Sequence, residues 1–145
     1  MGALSMFSQS TQLLMADGST RLAEALHIGD LLQTSTGMAR ITNIFTGMEE
    51  TLYRLVAGER CLVVSEGQPI WNGHGFIPAS KIKPGIALQG SNGWTAFDLQ
   101  VTQCKAIPYN EKVYGFQLEP SEHGILYADG IPVGDFDCEI SQAAP

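Results

Sequence analysis

Displacing the chain against itself by 56 residues lays one half over the other. Ala23, Leu26, Gly29, Leu32, Gln33, Ser35 and Gly37 then fall on Ala79, Ile82, Gly85, Leu88, Gln89, Ser91 and Gly93. Farther along, with small insertions, Leu52-Tyr53-Arg54-Leu55 falls on Val113-Tyr114-Gly115-Phe116. Glu66-Gly67-Gln68-Pro69-Ile70 likewise falls on Asp129-Gly130-Ile131-Pro132-Val133. Single glycines coincide by chance, but an ordered series of apolar and glycine positions does not. The series predicts two structurally equivalent halves of about 60 residues each, with the glycines at turns that a Cβ would oppose.

Within each half the chain is cut into short pieces. Sixteen glycines and seven prolines in 145 residues suit many small strands joined by turns. Asp17-Gly18 follows the apolar run Leu13-Leu14-Met15 and reads as a hairpin turn. Other turn signals at Gly29-Asp30, Pro84-Gly85, Asn92-Gly93 and Asp129-Gly130 bound candidate strands at 31–34, 39–45, 51–56, 61–65, 86–88, 96–102, 112–118 and 124–127. Only 20–26 looks helical, and it is too short for more than a turn or two. The expected class is all-β, a compact fold with pseudo-twofold duplicated halves.

Charge narrows the partners. Eight Lys plus Arg against fifteen Asp plus Glu give a formal net charge of −7. Binding phosphates needs clustered cations, so nucleic acid is not expected as a partner. No apolar run has the length of a membrane span, and no basic residue precedes Arg21 to mark a signal peptide. The expected location is the cytoplasm or an assembled particle. Cys61, Cys104 and Cys138 form no CxxC pair, and His27, His74 and His123 are scattered. The sequence therefore predicts buried or reduced thiols, no metal site and no cofactor. Trp71, Trp94 and the Tyr53/Tyr114 pair are expected in the core or on strand faces. The acidic set Glu119, Glu122, Asp129, Asp135, Asp137 and Glu139 is expected on a solvated face.

Five blocks, in order, carry a resemblance. Met6-Phe7-Ser8-Gln9-Ser10-Thr11 with the Asp17-Gly18-Ser19 turn resembles the opening of Hint domains, the autoprocessing module of Hedgehog proteins and inteins. Leu26-His27-Ile28-Gly29-Asp30-Leu31-Leu32 resembles that family's L-x-x-G-D-x-V. Leu62-Val63-Val64-Ser65-Glu66-Gly67-Gln68-Pro69-Ile70 resembles L-x-V-T-x-x-H-P-L. Gly75-Phe76-Ile77-Pro78-Ala79 through Gly85 resembles G-W-x-x-A-x-x-L-x-x-G-D. The end, from Val113-Tyr114 through His123 to Gly130-Ile131-Pro132-Val133-Gly134-Asp135, resembles the closing block that finishes in His-Asn. The resemblance spans residues 6–137 and implies a Hint domain over 6–138, with 1–5 as a leader and 139–145 as a flexible tail.

The family's reaction begins when a Cys or Ser side chain attacks the carbonyl of its own preceding peptide bond, assisted by a His that donates to the scissile amide. Carried over by position, the resemblance puts Met6 at the nucleophile, and a thioether has no proton to lose. Gln68 takes the place of the block His, and Ser65 the place of its Thr. Gly134 and Asp135 replace the terminal His-Asn pair, and Phe136 the second nucleophile after it. His123 matches the family's penultimate-block His, and is expected to order the last hairpin. Ser5 and Ser8 flank Met6 but lie one or two residues from the attacking position, beyond near-attack tolerance. These positions (Met6, Ser65, Gln68, His123, Gly134 and Asp135) are read as a vestigial site with no catalytic residue. The expected role is a non-catalytic adaptor or scaffold that binds a protein partner or itself, in an assembly such as a virion or secretion apparatus. The alternative is residual autoprocessing at Asp135 or near Ser5-Met6. A third reading makes the old cleft, lined by Met6, Gln68, His123 and Asp135, a small-ligand site.

Overall fold

The computed structural model describes residues 5–120 and 124–138. The first half runs Phe7–Ser8 (β1), Gln12–Leu14 (β2), Thr20–Leu22 (β3), a 3-10 turn at Ala23–Ala25, Leu31–Thr34 (β4), Gly37–Met48 (β5), Thr51–Ala57 (β6), Arg60–Val64 (β7) and Pro69–Trp71 (β8). The second half repeats the order from β3 with Phe76–Pro78 (β9), a 3-10 turn at Ala79–Lys81, Ala87–Ser91 (β10), Ala96–Pro108 (β11), Lys112–Glu119 (β12), Leu126–Ala128 (β13) and Ile131–Val133 (β14). The fold is all-β. The helical expectation at 20–26 divides into the whole of β3 and one 3-10 turn.

The duplication reaches individual hydrogen bonds. Gly29 and Gly85 have φ of +99° and +98°, and each N–H donates across its hairpin, to the Ile41 and Val101 carbonyls, at 2.8 Å. The return bonds, from Ile41 N–H to Asp30 and from Val101 N–H to Ile86, are both 2.9 Å. One residue later, both long strands bulge. Ile41 opposes Leu118 and Asn43 opposes Gln117, while Val101 opposes Ala57 and Gln103 opposes Val56. The skipped residues are Thr42 and Thr102, whose hydroxyls donate to the Gln117 and Val56 carbonyls at 3.2 and 3.4 Å. Such bulges bend a strand and re-aim the residues beyond the bend.

Beyond the bulges the halves exchange strands, β5 pairing with β12 and β11 with β6. Ile70 of β8 and Val133 of β14, which the repeat overlays, pair with each other. Equivalent antiparallel neighbours of this kind place the pseudo-twofold between those two strands. The core has the same symmetry. Ala23 and Ala79, Leu26 and Ile82, Leu32 and Leu88, Ile41 and Val101, and Leu55 and Phe116 are all buried. Each fully buried large side chain contributes roughly 1.5–3 kcal/mol, far more than a single-turn 3-10 element supplies by itself.

Several expectations need correction. The strands expected at 39–45 and 96–102 extend to Met48 and Pro108, because inter-half pairing continues past each bulge. Gly37 and Gly93 are not equivalent. β4 and β5 close on residues 35–36, whereas β10 and β11 close on the longer loop 92–95, so the counterpart of Gly37 is Phe97. Trp94, expected in the core or on a strand face, is 82% exposed in that loop. Of the cysteines, expected to be buried or reduced, Cys61 is exposed and Cys104 and Cys138 are half-buried. Among the described residues, no helix is long and apolar enough to cross a membrane.

Candidate functional site

The first and last described segments meet beside β7 and β12. β1 lies between those strands, with Phe7 opposite both Val64 and Tyr114, and this register carries Met6 to the end of β7. There Met6 and Ser65 exchange hydrogen bonds. The Met6 N–H donates to Ser65 Oγ at 3.0 Å and the Ser65 N–H to the Met6 carbonyl at 2.9 Å. The Ser8 and Thr11 hydroxyls bond each other at 2.8 Å, and Thr11 reaches the Val63 carbonyl at 3.4 Å. These buried bonds fasten the opening segment to β7.

From Ser65 the chain turns, with the Gln68 N–H donating to the Ser65 carbonyl at 3.1 Å. The turn drives the Gln68 side chain inward, where it is fully buried. Its Nε2 donates to the carbonyls of Gly134 at 2.8 Å and Pro69 at 3.2 Å, and the Gly134 N–H returns a bond to the Pro69 carbonyl at 3.0 Å. Two carbonyl acceptors fix which end of the amide is the nitrogen. Gln68 Oε1 is buried with no hydrogen-bond partner among the described residues. Met6, Ser65, Gln68 and Gly134 therefore converge through a continuous run of bonds.

Phe136 joins them. Its N–H donates to the Phe116 carbonyl at 3.0 Å, and its ring stacks on Phe45 at 4.2 Å between centroids. The sequence reading missed Gly115, which makes room for this meeting. A Cβ there would stand 2.7 Å from both Met6 Sδ and Phe136 Cδ1 and 2.9 Å from the Ser5 carbonyl. Its alignment with Arg54, a large residue in the other half, is the signal that marks it. Met6, Leu52 and Val113 form a second small core with Phe45 and Phe136 against it.

Asp135, next to Gly134, lines a small cavity with Thr34, Met38, Leu118 and Pro120, and its carboxylate accepts the Asp137 N–H at 3.1 Å. His123 lies outside the described residues. Among those described, no group of three or more His, Cys, Asp or Glu side chains gathers in a way that would hold a metal ion. Asp129, expected on a solvated face, is instead half-buried at the β13–β14 turn with φ of 51°. Burial pushes its carboxyl up to about 6, and the Gln12 N–H and the charge of Arg60 only partly offset that rise.

No protein-family model matches the chain, and no curated protein sequence does. Solved structures do match. The bacterial intein-like domain from Clostridium thermocellum is 19% identical, with a TM-score of 0.77 over 92% of this chain and 99% of that one. The gp41-1 intein is 14% identical, with a TM-score of 0.76 over 92% of this chain and all of the other. A DnaB intein from Synechocystis sp. PCC 6803 is 11% identical, with a TM-score of 0.76 over 90% of this chain and 97% of its own. With duplicated halves, exchanged long strands and its opening and closing described segments meeting beside β7, the chain has the intein-like Hint fold.

Proposed function

We propose that this chain is a non-processing module of the intein-like fold, acting as a structural or protein-binding adaptor within a larger assembly. Fold alone does not carry chemistry, which depends on the residues at the site. The observation that carries the reading is the Gln68 amide between Ser65 and Gly134. An amide does not titrate near neutral pH and so cannot serve as a general acid or base; donating to two carbonyls, it acts as a clamp where the resemblance expects an imidazole acid. Met6 supports the same reading, because its buried thioether can form neither a thiolate nor a thioester. The solved structures similar to this chain are described as inteins, and this reading separates the fold from their activity.

The test is intact mass. The chain carrying extensions at both ends is expected to stay whole for days at neutral pH, with or without added thiol. Release of the N-terminal extension by the unaltered chain overturns the proposal.

A second reading, residual autoprocessing of Hedgehog or intein type, draws on the Ser5-Met6 junction, because Ser65 still holds the Met6 N–H. The double variant Met6→Cys with Gln68→His separates the two readings. Thiol-dependent cleavage before position 6 in the variant alone indicates a site that lost its chemistry but kept its backbone.

A further inference from the structure

The halves differ most plainly at one pair of hairpin tips. β4 and β5 close on residues 35–36, but β10 and β11 close on residues 92–95, and the longer loop holds Trp94, the most exposed large apolar side chain among the described residues. The exposure does not come from a slack loop. Asn92 Oδ1 accepts the N–H groups of Trp94 and Thr95 at 2.9 Å each, Ser91 Oγ accepts that of Gly93 at 3.1 Å, and Gln33 Nε2 reaches the Gly93 carbonyl at 3.4 Å. The indole rests against Gly18, close enough that a Cβ there would stand 2.9 Å from the ring. The rest of it faces an open cleft of about 380 Å³ lined by Asp17, Gln33, Thr34 and Met38.

Resting on the adaptor reading, we propose that this cleft receives an arginine or lysine side chain from a basic segment of a partner protein. The cation lies on the open face of Trp94, its aliphatic stem against Met38, and its head group meets Asp17. Indole is the best aromatic face for a cation, and long cationic side chains pack their stems on apolar surface while the charge stays wet. Asp17 is ready for that role. The Ser19 N–H and hydroxyl both donate to its Oδ1 and hold its carboxyl below the usual range. Arg21, the nearby cation, pairs with Asp30 at 3.0 Å and adds only the smallest of the effects that lower Asp17. The net charge of −7 favours a basic partner over a second copy of this chain.

The test uses the full chain with Trp71→Phe, so that Trp94 alone fluoresces, titrated with octa-arginine, octa-lysine and octa-glutamate peptides. Saturable change in Trp94 emission is expected with the two basic peptides only. Calorimetry on the otherwise unaltered chain gives a second measurement if Trp71→Phe disturbs packing on Phe76. By calorimetry, Asp17→Asn, which keeps the Oδ1 acceptor, should weaken binding about threefold. Trp94→Ala should weaken it about threefold or more. Glu111→Gln, in the connection between β11 and β12, should leave it unchanged. Absence of saturable binding overturns the proposal, as does equal weakening by Glu111→Gln and Asp17→Asn, which reduces the attraction to net charge. Concentration-dependent self-association that buries Trp94 without peptide binding also overturns it. Intact mass of the same samples keeps the two ideas apart. A chain that cleaves itself removes the adaptor reading, whereas an intact chain that ignores the peptides removes only this inference.

Discussion

The side-chain amide of Gln68 donates to the carbonyl of Gly134 at 2.8 Å, across 66 positions of sequence. With the return bond from the Gly134 N–H to the Pro69 carbonyl, it ties the closing described segment to the turn after β7, which itself holds the opening segment through Ser65. Removing it leaves both the Gly134 and Pro69 carbonyls without their Nε2 donor, and a void where the amide stood. Gln68→Ala should therefore lower unfolding stability by about 2–3 kcal/mol, measured by urea denaturation.

Gly115 should tolerate no larger residue. Gly115→Ala would push a methyl to 2.7 Å from Met6 Sδ and Phe136 Cδ1, with the Ser5 carbonyl behind them, and overpacking of that kind typically costs about 1–3 kcal/mol. Gly47→Ala provides the comparison, since its Cβ would meet only Met6 Cε and Val113 Cγ2 at 3.8 Å. Equal losses of melting temperature in the two variants would contradict the crowding.

Symmetry makes its own prediction. A Cβ at Gly29 or Gly85 meets nothing within 4 Å, so the penalty there is backbone strain alone, at φ of +99° and +98°. Gly29→Ala and Gly85→Ala should each cost about 1–2 kcal/mol, matching to within about 0.5 kcal/mol. Unfolding curves for the two variants that differ widely would deny the turns their equivalence.

The Asp129 carboxyl titrates near 6 in the folded chain against an ordinary 3.8. Between those values the folded state holds a proton that the unfolded chain has released, so stability falls as pH rises. The contribution of this group is complete below the ordinary carboxylate range and is lost as pH climbs through about 6. Asp129→Asn keeps a residue that accepts the left-handed conformation and removes the titration. Urea unfolding from pH 4.5 to 7.5 should show the variant gaining stability, relative to the parent, toward the upper end. A constant difference across that range would assign the effect to something other than this proton.

The fold was legible in the sequence wherever the cause was local. Glycine at a positive-φ turn, an apolar residue every few positions, and a second copy of both 56 residues on are visible without a structure. They located the Gly29 and Gly85 turns and the Asp17-Gly18 hairpin. They also marked the pairs Ala23/Ala79, Leu26/Ile82, Leu32/Leu88 and Leu55/Phe116, all of them buried. The candidate site was legible only as positions. The resemblance marked Met6, Ser65, Gln68 and Gly134, and it said nothing of the bonds that join them.

Tertiary structure alone decided the rest, because an apolar pattern says that a face is buried but not what buries it. The exchange of long strands between halves pairs Leu52 with Ile107 and Val113 with Gly47, and no local signal carries such register. It lengthened β5 and β11 beyond their bulges, where neighbouring strands rather than propensity sustain them. The small residue at Gly115 acquired its reason only when Met6 and Phe136 arrived over it from the two ends. Trp94 has the composition of a core residue, but a longer hairpin tip carried it past the core and into solvent.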